Sequence, residues 1–298
     1  MRSRKFASGD IVTNSGEPNA AGSRFSSDRA FRHFATYDGK TQSQQHIKPL
    51  HEYVTCRLVL EGGFQPDEIK PHPRLRIDSK GKVLHLIYDR DVVSKKEATL
   101  LGGLKTKNVD IVVSKPEIGL VLAVSCKGMT GAIRNLTNRL EETIGECTNI
   151  HIAYPTLVFG YLFLLRANRS GSKQDTDIAI DDDDNPVESV IRFHQALCGM
   201  TGRASLRDDP SKYESISLAL IEVSPKSVGS LNVDFPPPDS PTVFDNFFAT
   251  IYRQYDERYV VSAPLLAHRT RRVEWDHDSP AFESIDRQNL DYSLRLKP

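Results

Sequence analysis

Long apolar runs are missing from this chain of 298 residues. No stretch approaches the roughly 18 consecutive apolar residues that a membrane-spanning helix requires, so no membrane partner is expected. The basic start, Met1-Arg2-Ser3-Arg4-Lys5, is not followed by an apolar segment. A secretory leader is therefore not expected, and a cytoplasmic location is. Cysteine is sparse: Cys56, Cys126, Cys147 and Cys198 stand far apart and none forms a C-x-x-C pair. That spacing argues against a disulfide framework or a zinc knuckle. The nine histidines include no H-E-x-x-H pair, so zinc hydrolysis is not indicated. Net charge is absent as well, with 39 basic and 39 acidic residues. The global balance names no polyanionic partner, but a local basic cleft offset by acidic segments elsewhere is compatible with it.

What is present is the composition of a soluble globular protein with a substantial core, 39% hydrophobic and 26% charged. Residues 1–45 are rich in Ser, Gly, Asn, Asp and Arg and read as an N-terminal arm or loosely packed segment. Leu50, Tyr53, Val54, Leu58 and Val59 predict a helix over residues 47–60, closed by Gly62-Gly63. Alternation predicts strands at 74–78 and 83–89 around a turn at Ser79-Lys80-Gly81-Lys82. Two nearly continuous apolar runs, residues 109–113 and 120–127, read as strands covered on both faces. Ile133, Leu136, Leu140, Ile144 and Cys147 recur at three and four residues and predict a helix over 132–147. There follow a strand at 156–165, a solvated loop at 170–186 holding Asp181-Asp182-Asp183-Asp184, a helix at 187–198, a strand at 215–223 and a helix at 242–255. This order predicts an α/β fold, a mixed β-sheet flanked by helices. A single domain is expected over residues 46–298, with its core at about 47–225 and the motif-free residues 224–298 left for recognition or dimerisation.

One constellation carries chemistry. Asp110 stands just ahead of Ile111-Val112-Val113, and Lys127 ends the next apolar run after Ser125-Cys126. If the two runs pair as a hairpin, both side chains reach one sheet edge. Phosphodiester hydrolysis needs a divalent metal, an activated water and positive charge on the crowded phosphate. Two converging carboxylates suit Mg2+, and a lysine beside them suits the phosphate. The second acid must come from the helix. With Ile133 at zero and about 100° per residue, Glu141 falls at roughly 80°, beside the apolar stripe, and Glu142 at roughly 180°. This geometry selects Glu141. Arg134 and Asn138 share its flank and are candidate phosphate or base contacts.

Asp110 followed by Ser125-Cys126-Lys127 resembles the PD-(D/E)xK nuclease superfamily, over about residues 47–166. Val109 stands where proline is common, and Ser125 occupies the place of the second acid. A subgroup of type II restriction endonucleases carries the same change. It includes enzymes that cut sites with CCGG or related cores, many of them tetrameric. Their Ser-x-Lys is followed, after twelve or thirteen residues, by a glutamate on the next helix; here residues 128–140 separate Lys127 from Glu141. The stretch from Asp110 to Ser125 is shorter than in that subgroup and usual for the wider superfamily. The resemblance implies a restriction-endonuclease-like fold and a Mg2+-dependent, site-specific deoxyribonuclease acting on double-stranded DNA as a homodimer or homotetramer. It implies that Asp110 and Glu141 bind the metal, that the Cys126 carbonyl adds a ligand and that Ser125 holds a metal-bound water. Lys127 would position or activate the attacking water. Glu52 would be the further acid that the superfamily often supplies from the helix before its first strand. Two alternatives stay open: a non-catalytic DNA-binding protein on this fold, motivated by Ser125, and a repair or defence nuclease without strict sequence preference.

Other signals are weaker. Pro66-Asp67-Glu68-Ile69-Lys70 compresses the same letters with no hairpin between its acids, and reads as a polar loop. Gly102-Gly103-Leu104-Lys105-Thr106 lacks the spacing of a phosphate loop. Cys126 and His151 form a conceivable thiol–imidazole pair, but a thiol ending an apolar strand reads as structural. Basic clusters at 166–169 (Arg166 and Arg169), 203–207 and 269–272 would wall a DNA cleft.

Overall fold

A computed structural model describes residues 22–40, 44–80, 83–92, 97–171 and 175–298. The chain begins with helices α1 (Ser27–Thr36) and α2 (Lys48–Leu60). Strand β1 (Ile69–Lys70) follows, then the hairpin β2 (Leu75–Lys80) and β3 (Val83–Tyr88), then the ribbon β4 (Ala98–Leu101) and β5 (Thr106–Val109). Strands β6 (Ile111–Lys115) and β7 (Gly119–Met129) lead to α3 (Leu136–Ala153), β8 (Val158–Ala167), α4 (Glu188–Met200), β9 (Ser215–Glu222) and α5 (Phe244–Asp256).

Five strands form the central sheet in the order β1-β6-β7-β8-β9. β1, β6 and β7 run antiparallel to their neighbours, whereas β7, β8 and β9 run parallel, so the sheet is mixed. The parallel pairs require crossovers, and α3 and α4 supply them. Both helices cover one face of the sheet, with Leu136, Cys147 and Ile150 of α3 and Val190, Phe193 and Leu197 of α4 in one apolar cluster. α1, α2 and α5 cover the other face through Phe31, Phe34, Val54, Leu58, Phe247 and Ile251. The strands feed the two clusters alternately. Phe159, Tyr161, Phe163 and Leu165 of β8 face α3 and α4, while Val158, Leu162 and Leu164 face α2 and α5. With both faces covered, every residue of β8 and β9 is buried, which is why β8 reads as a strongly apolar run.

The expected loose arm is corrected at residues 27–36. Ala30, Phe31, Phe34 and Ala35 form a buried stripe on α1, a short period easily hidden among polar neighbours. Residues 1–21 of that expected arm lie outside the described residues, as do Gly81-Lys82 of the hairpin turn and residues 172–174 of the solvated loop. Much of residues 224–298 completes the core. Trp275 is fully buried, its indole N–H donates to the Val59 carbonyl at 2.7 Å, and Arg295 N donates to the Leu60 carbonyl at 2.8 Å. The C-terminal segment thus straps α2, burying Ala281, Phe282 and Ile285 in the same cluster. Among the described residues no helix is long and apolar enough to cross a membrane.

Candidate active site

The apolar run at 109–113 is two strands, not one. β5 ends at Val109, Asp110 stands alone at a bend, and β6 begins at Ile111. The pairing of β6 with β7 ends at Ile111↔Val124, but β7 runs on to Met129, paired only with β8 on its other side. Asp110 occupies the edge so exposed. Its Oδ2 accepts from the Cys126 N–H at 2.8 Å and from Lys127 Nζ at 2.7 Å, with Ser125 Oγ at 3.3 Å. Ser125 and Lys127 share one face of β7 because side chains alternate along a strand. Asp110 is 2% exposed, whereas the Lys127 side chain keeps 25% of its surface open to solvent.

The acid brought to this point by α3 is Glu146. Glu141 and Glu142 are exposed, and Glu142 pairs with Arg139 on the surface. Glu146 is buried, with Oε2 3.2 Å from Ser125 Oγ and Oε1 3.9 Å from Lys107 Nζ. This corrects the choice of Glu141, and the reason is helical phase. Ile133 belongs to a 3-10 turn ahead of α3, and Ile144 is 40% exposed, so neither marks the buried face. With Leu136 at zero, Thr143, Cys147 and Ile150 fall within about 40°, Glu146 at roughly −80° and Glu141 at roughly 140°. Two hydrogen bonds set that rotation: Thr143 Oγ1 to the Tyr161 hydroxyl at 2.9 Å, and the Tyr213 hydroxyl to the Thr143 carbonyl at 3.0 Å.

Two further groups approach Asp110 that sequence reading did not find. His51 on α2 is buried, and Glu97 immediately precedes β4 and is half-buried. One ligating atom each from His51, Glu97 and Asp110 lie within 4.8 Å of one another. His51 gave no periodic signal, because α2 is buried nearly all round. Glu97 had none, because β4 is short and weakly patterned. Asn149 of α3 docks the ribbon that carries it, its Oδ1 accepting from Leu104 N at 2.8 Å and Lys105 N at 3.0 Å.

The donor set fits a divalent cation. His51 Nε2 is buried with no hydrogen-bond partner among the described residues, an atom whose desolvation an ion would offset. Two carboxylates and an imidazole accept a transition ion such as Mn2+ more readily than Mg2+, which prefers all-oxygen surroundings. His51→Ala is expected to weaken Mn2+ binding about ten- to hundredfold, measured by titration calorimetry; unchanged affinity would remove His51 from the centre.

The titrations of the site diverge. Burial opposes ionisation of Asp110, but Lys127, His51 and the Cys126 N–H outweigh it and hold the carboxyl below its usual range. Burial opposes the charge on Lys127 as well, yet Asp110 and Glu146 outweigh it and keep the ammonium protonated beyond the usual lysine range. Burial raises Glu146, assisted by Asp110 and only partly countered by Lys127 and Lys107. Burial and Asp110 raise Glu97, and burial lowers His51, leaving its imidazole neutral for a metal. A carboxyl with a raised native pKa binds more protons folded than unfolded, so stability falls as pH rises through that window. Glu146→Gln is therefore expected to melt above the wild type in metal-free buffer at neutral pH, the gap closing as pH falls toward the ordinary glutamate range. A thermal-melting series from pH 4 to 8 checks this.

The other expected site residues lie as follows. Cys126 contributes its N–H to Asp110, and its carbonyl faces the same edge because N–H and C=O of one strand residue point the same way. Glu52 is corrected: it sits outside the centre, holding Arg24, Arg29 and Arg74 at 2.8, 3.1 and 3.1 Å. Arg134 and Asn138 are exposed at the start of the α3 segment. Arg166 is buried, its Nη2 donating to the carbonyls of Phe34 and Tyr37, and Arg169 is bound to Asp184 and Glu222. Glu68 pairs with Lys115 and Asp67 with His72, away from Asp110, and His151 meets Cys147 rather than Cys126. Compared with known proteins, the chain matches no family model, no curated protein and no solved structure.

Proposed function

We propose that the chain is a metal-dependent DNA endonuclease, of the kind represented by type II restriction enzymes. The observation that carries this reading is Lys127 Nζ held 2.7 Å from Asp110 at the open end of β7, with His51 and Glu97 within 4.8 Å of Asp110 and Glu146 linked to it through Ser125. His51, Glu97 and Asp110 would hold the ion. When bound, it would polarise the phosphate and acidify a coordinated water.

Each residue of the chain has a separable task. Lys127 stays protonated, so it acts as a donor and not as a base. One of its three N–H groups is spent on Asp110, and the others serve the non-bridging phosphate oxygens or the attacking water as negative charge builds. Glu146, the carboxylate with raised proton affinity, is the group suited to receive the water's proton. Ser125 has one hydroxyl proton to give and two carboxylates within reach, so it ties Asp110 to Glu146. The helix thus brings an acid beside position 125, which supports the catalytic reading over the non-catalytic one. Cutting both strands of a duplex calls for two copies related by a two-fold axis.

The test is supercoiled plasmid DNA incubated with Mg2+, with Mn2+ and with EDTA, followed by mapping of the ends. Discrete fragments that depend on the metal are expected. A smear would point to a nuclease without sequence preference, and intact plasmid under every condition would overturn the proposal.

A further inference from the structure

Immediately past Lys127 the chain turns through Gly128-Met129-Thr130-Gly131-Ala132 and opens a polar cavity of about 450 Å³. Arg134, Arg139 and Arg166 line it, from the α3 segment on one side and the end of β8 on the other. Their pairing is incomplete. Arg139 is bound to the exposed Glu142. Arg134 has no hydrogen bond or ion pair among the described residues. Arg166, only 6% exposed, spends Nη2 on the last carbonyls of α1 and leaves its buried Nε without a partner. A buried guanidinium N–H without an acceptor is costly, and the residue that carries it lines this cavity.

The acids that line the same cavity are Asp38, which is exposed, and Asp177. Asp177 is engaged: Oδ1 accepts from the Ala132 N–H, and a methyl at Gly131 would meet Oδ2 at 2.9 Å. That bond holds Ala132 in the left-handed region at φ 56°, a conformation a residue with a side chain adopts only when its surroundings impose it. Gly128 is equally tight, since a methyl there would meet the Phe34 ring at 2.7 Å, so the chain passes close under α1 just beyond Lys127. An exposed arginine without an acid partner among the described residues and a buried guanidinium N–H without an acceptor, on two sides of one polar cavity, together describe a seat for an anion.

We propose that this cavity binds a second phosphate of the cut strand, adjacent to the scissile one, through Arg134 and Arg166. The inference rests on the nuclease reading for the identity of the anion. Arg134 is a positioning residue here: it fixes the strand's register against Lys127 and does not touch the reacting atoms.

The test is fluorescence anisotropy of a labelled DNA duplex with the full chain in Ca2+, repeated at several salt concentrations, with cleavage in Mn2+ measured separately. Arg134→Ala is expected to weaken binding about tenfold and to reduce the slope of log K against log salt by about 1. Arg253→Ala, at an exposed arginine of α5 outside the basic clusters, is expected to change neither. Arg134→Ala with wild-type affinity, or with a loss of affinity at unchanged slope, would overturn the proposal, as would a wild type that binds no DNA. The two readings fail separately. A wild type that binds with the predicted Arg134 dependence but cuts nothing refutes the nuclease and leaves the phosphate seat; one that cuts DNA without Arg134 dependence does the reverse.

Discussion

Lys127→Ala is expected to bind DNA in Ca2+ with near-wild-type affinity and to cut it about a hundred- to a thousandfold more slowly in single-turnover assays. The magnitude is that of removing one preorganised donor aimed at developing oxyanion charge. Binding survives because affinity for a duplex is spread over many phosphate contacts, of which this is one. The fold survives as well. Asp110 keeps the Cys126 N–H and the Ser125 hydroxyl, and the side chain removed was a quarter exposed. Lys127→Arg is not expected to restore the rate, since a planar fork cannot occupy the position of a compact ammonium 2.7 Å from Asp110. Cleavage by Lys127→Ala at the wild-type rate would mean that the 2.7 Å contact is a structural ion pair and that the chemistry lies elsewhere.

Glu146→Gln is expected to suppress cleavage by a similar factor, whereas Glu141→Gln and Glu142→Gln leave it unchanged. The argument is positional. Glu146 is buried against Ser125, while the other two stand in solvent, where the Arg139–Glu142 pair contributes little. The amide keeps the shape of Glu146 and removes its charge and its capacity to take a proton. This pairs with the melting experiment, in which the same variant gains stability in metal-free buffer: one substitution raises stability and lowers rate. Loss of activity in Glu141→Gln with full activity in Glu146→Gln would mean that α3 presents its other face to the sheet.

How much of this was legible in the sequence depended on whether local pattern and packing agreed. β8, α4 and α5 were, because an apolar run and three-to-four spacing follow directly from two covered sheet faces and an amphipathic helix. The Asp110–Lys127 juxtaposition was also legible, as a hairpin of two apolar strands leaves few places for the charged residues at their ends. Glu146 was not, because the exposed Ile144 and the 3-10 turn at Ile133 shifted the apparent stripe. His51 was hidden by the near-total burial of α2, which erases the periodicity that would set a polar residue apart. α1 and the C-terminal strap were hidden for the opposite reason: a few buried aromatics, among them Phe34 and Trp275, carry segments that are otherwise polar. Arg169 looked like a cleft wall, yet its guanidinium group binds Asp184 and Glu222.

The most direct measurement is the position of Mn2+ in crystals of the protein, located by anomalous scattering. A peak is predicted about 2.0–2.5 Å from the carboxylates of Asp110 and Glu97, with His51 Nε2 as its nitrogen ligand and Lys127 alongside. No peak at these groups at millimolar Mn2+, or one at the acidic stretch Asp181–Asp184 instead, would contradict the account.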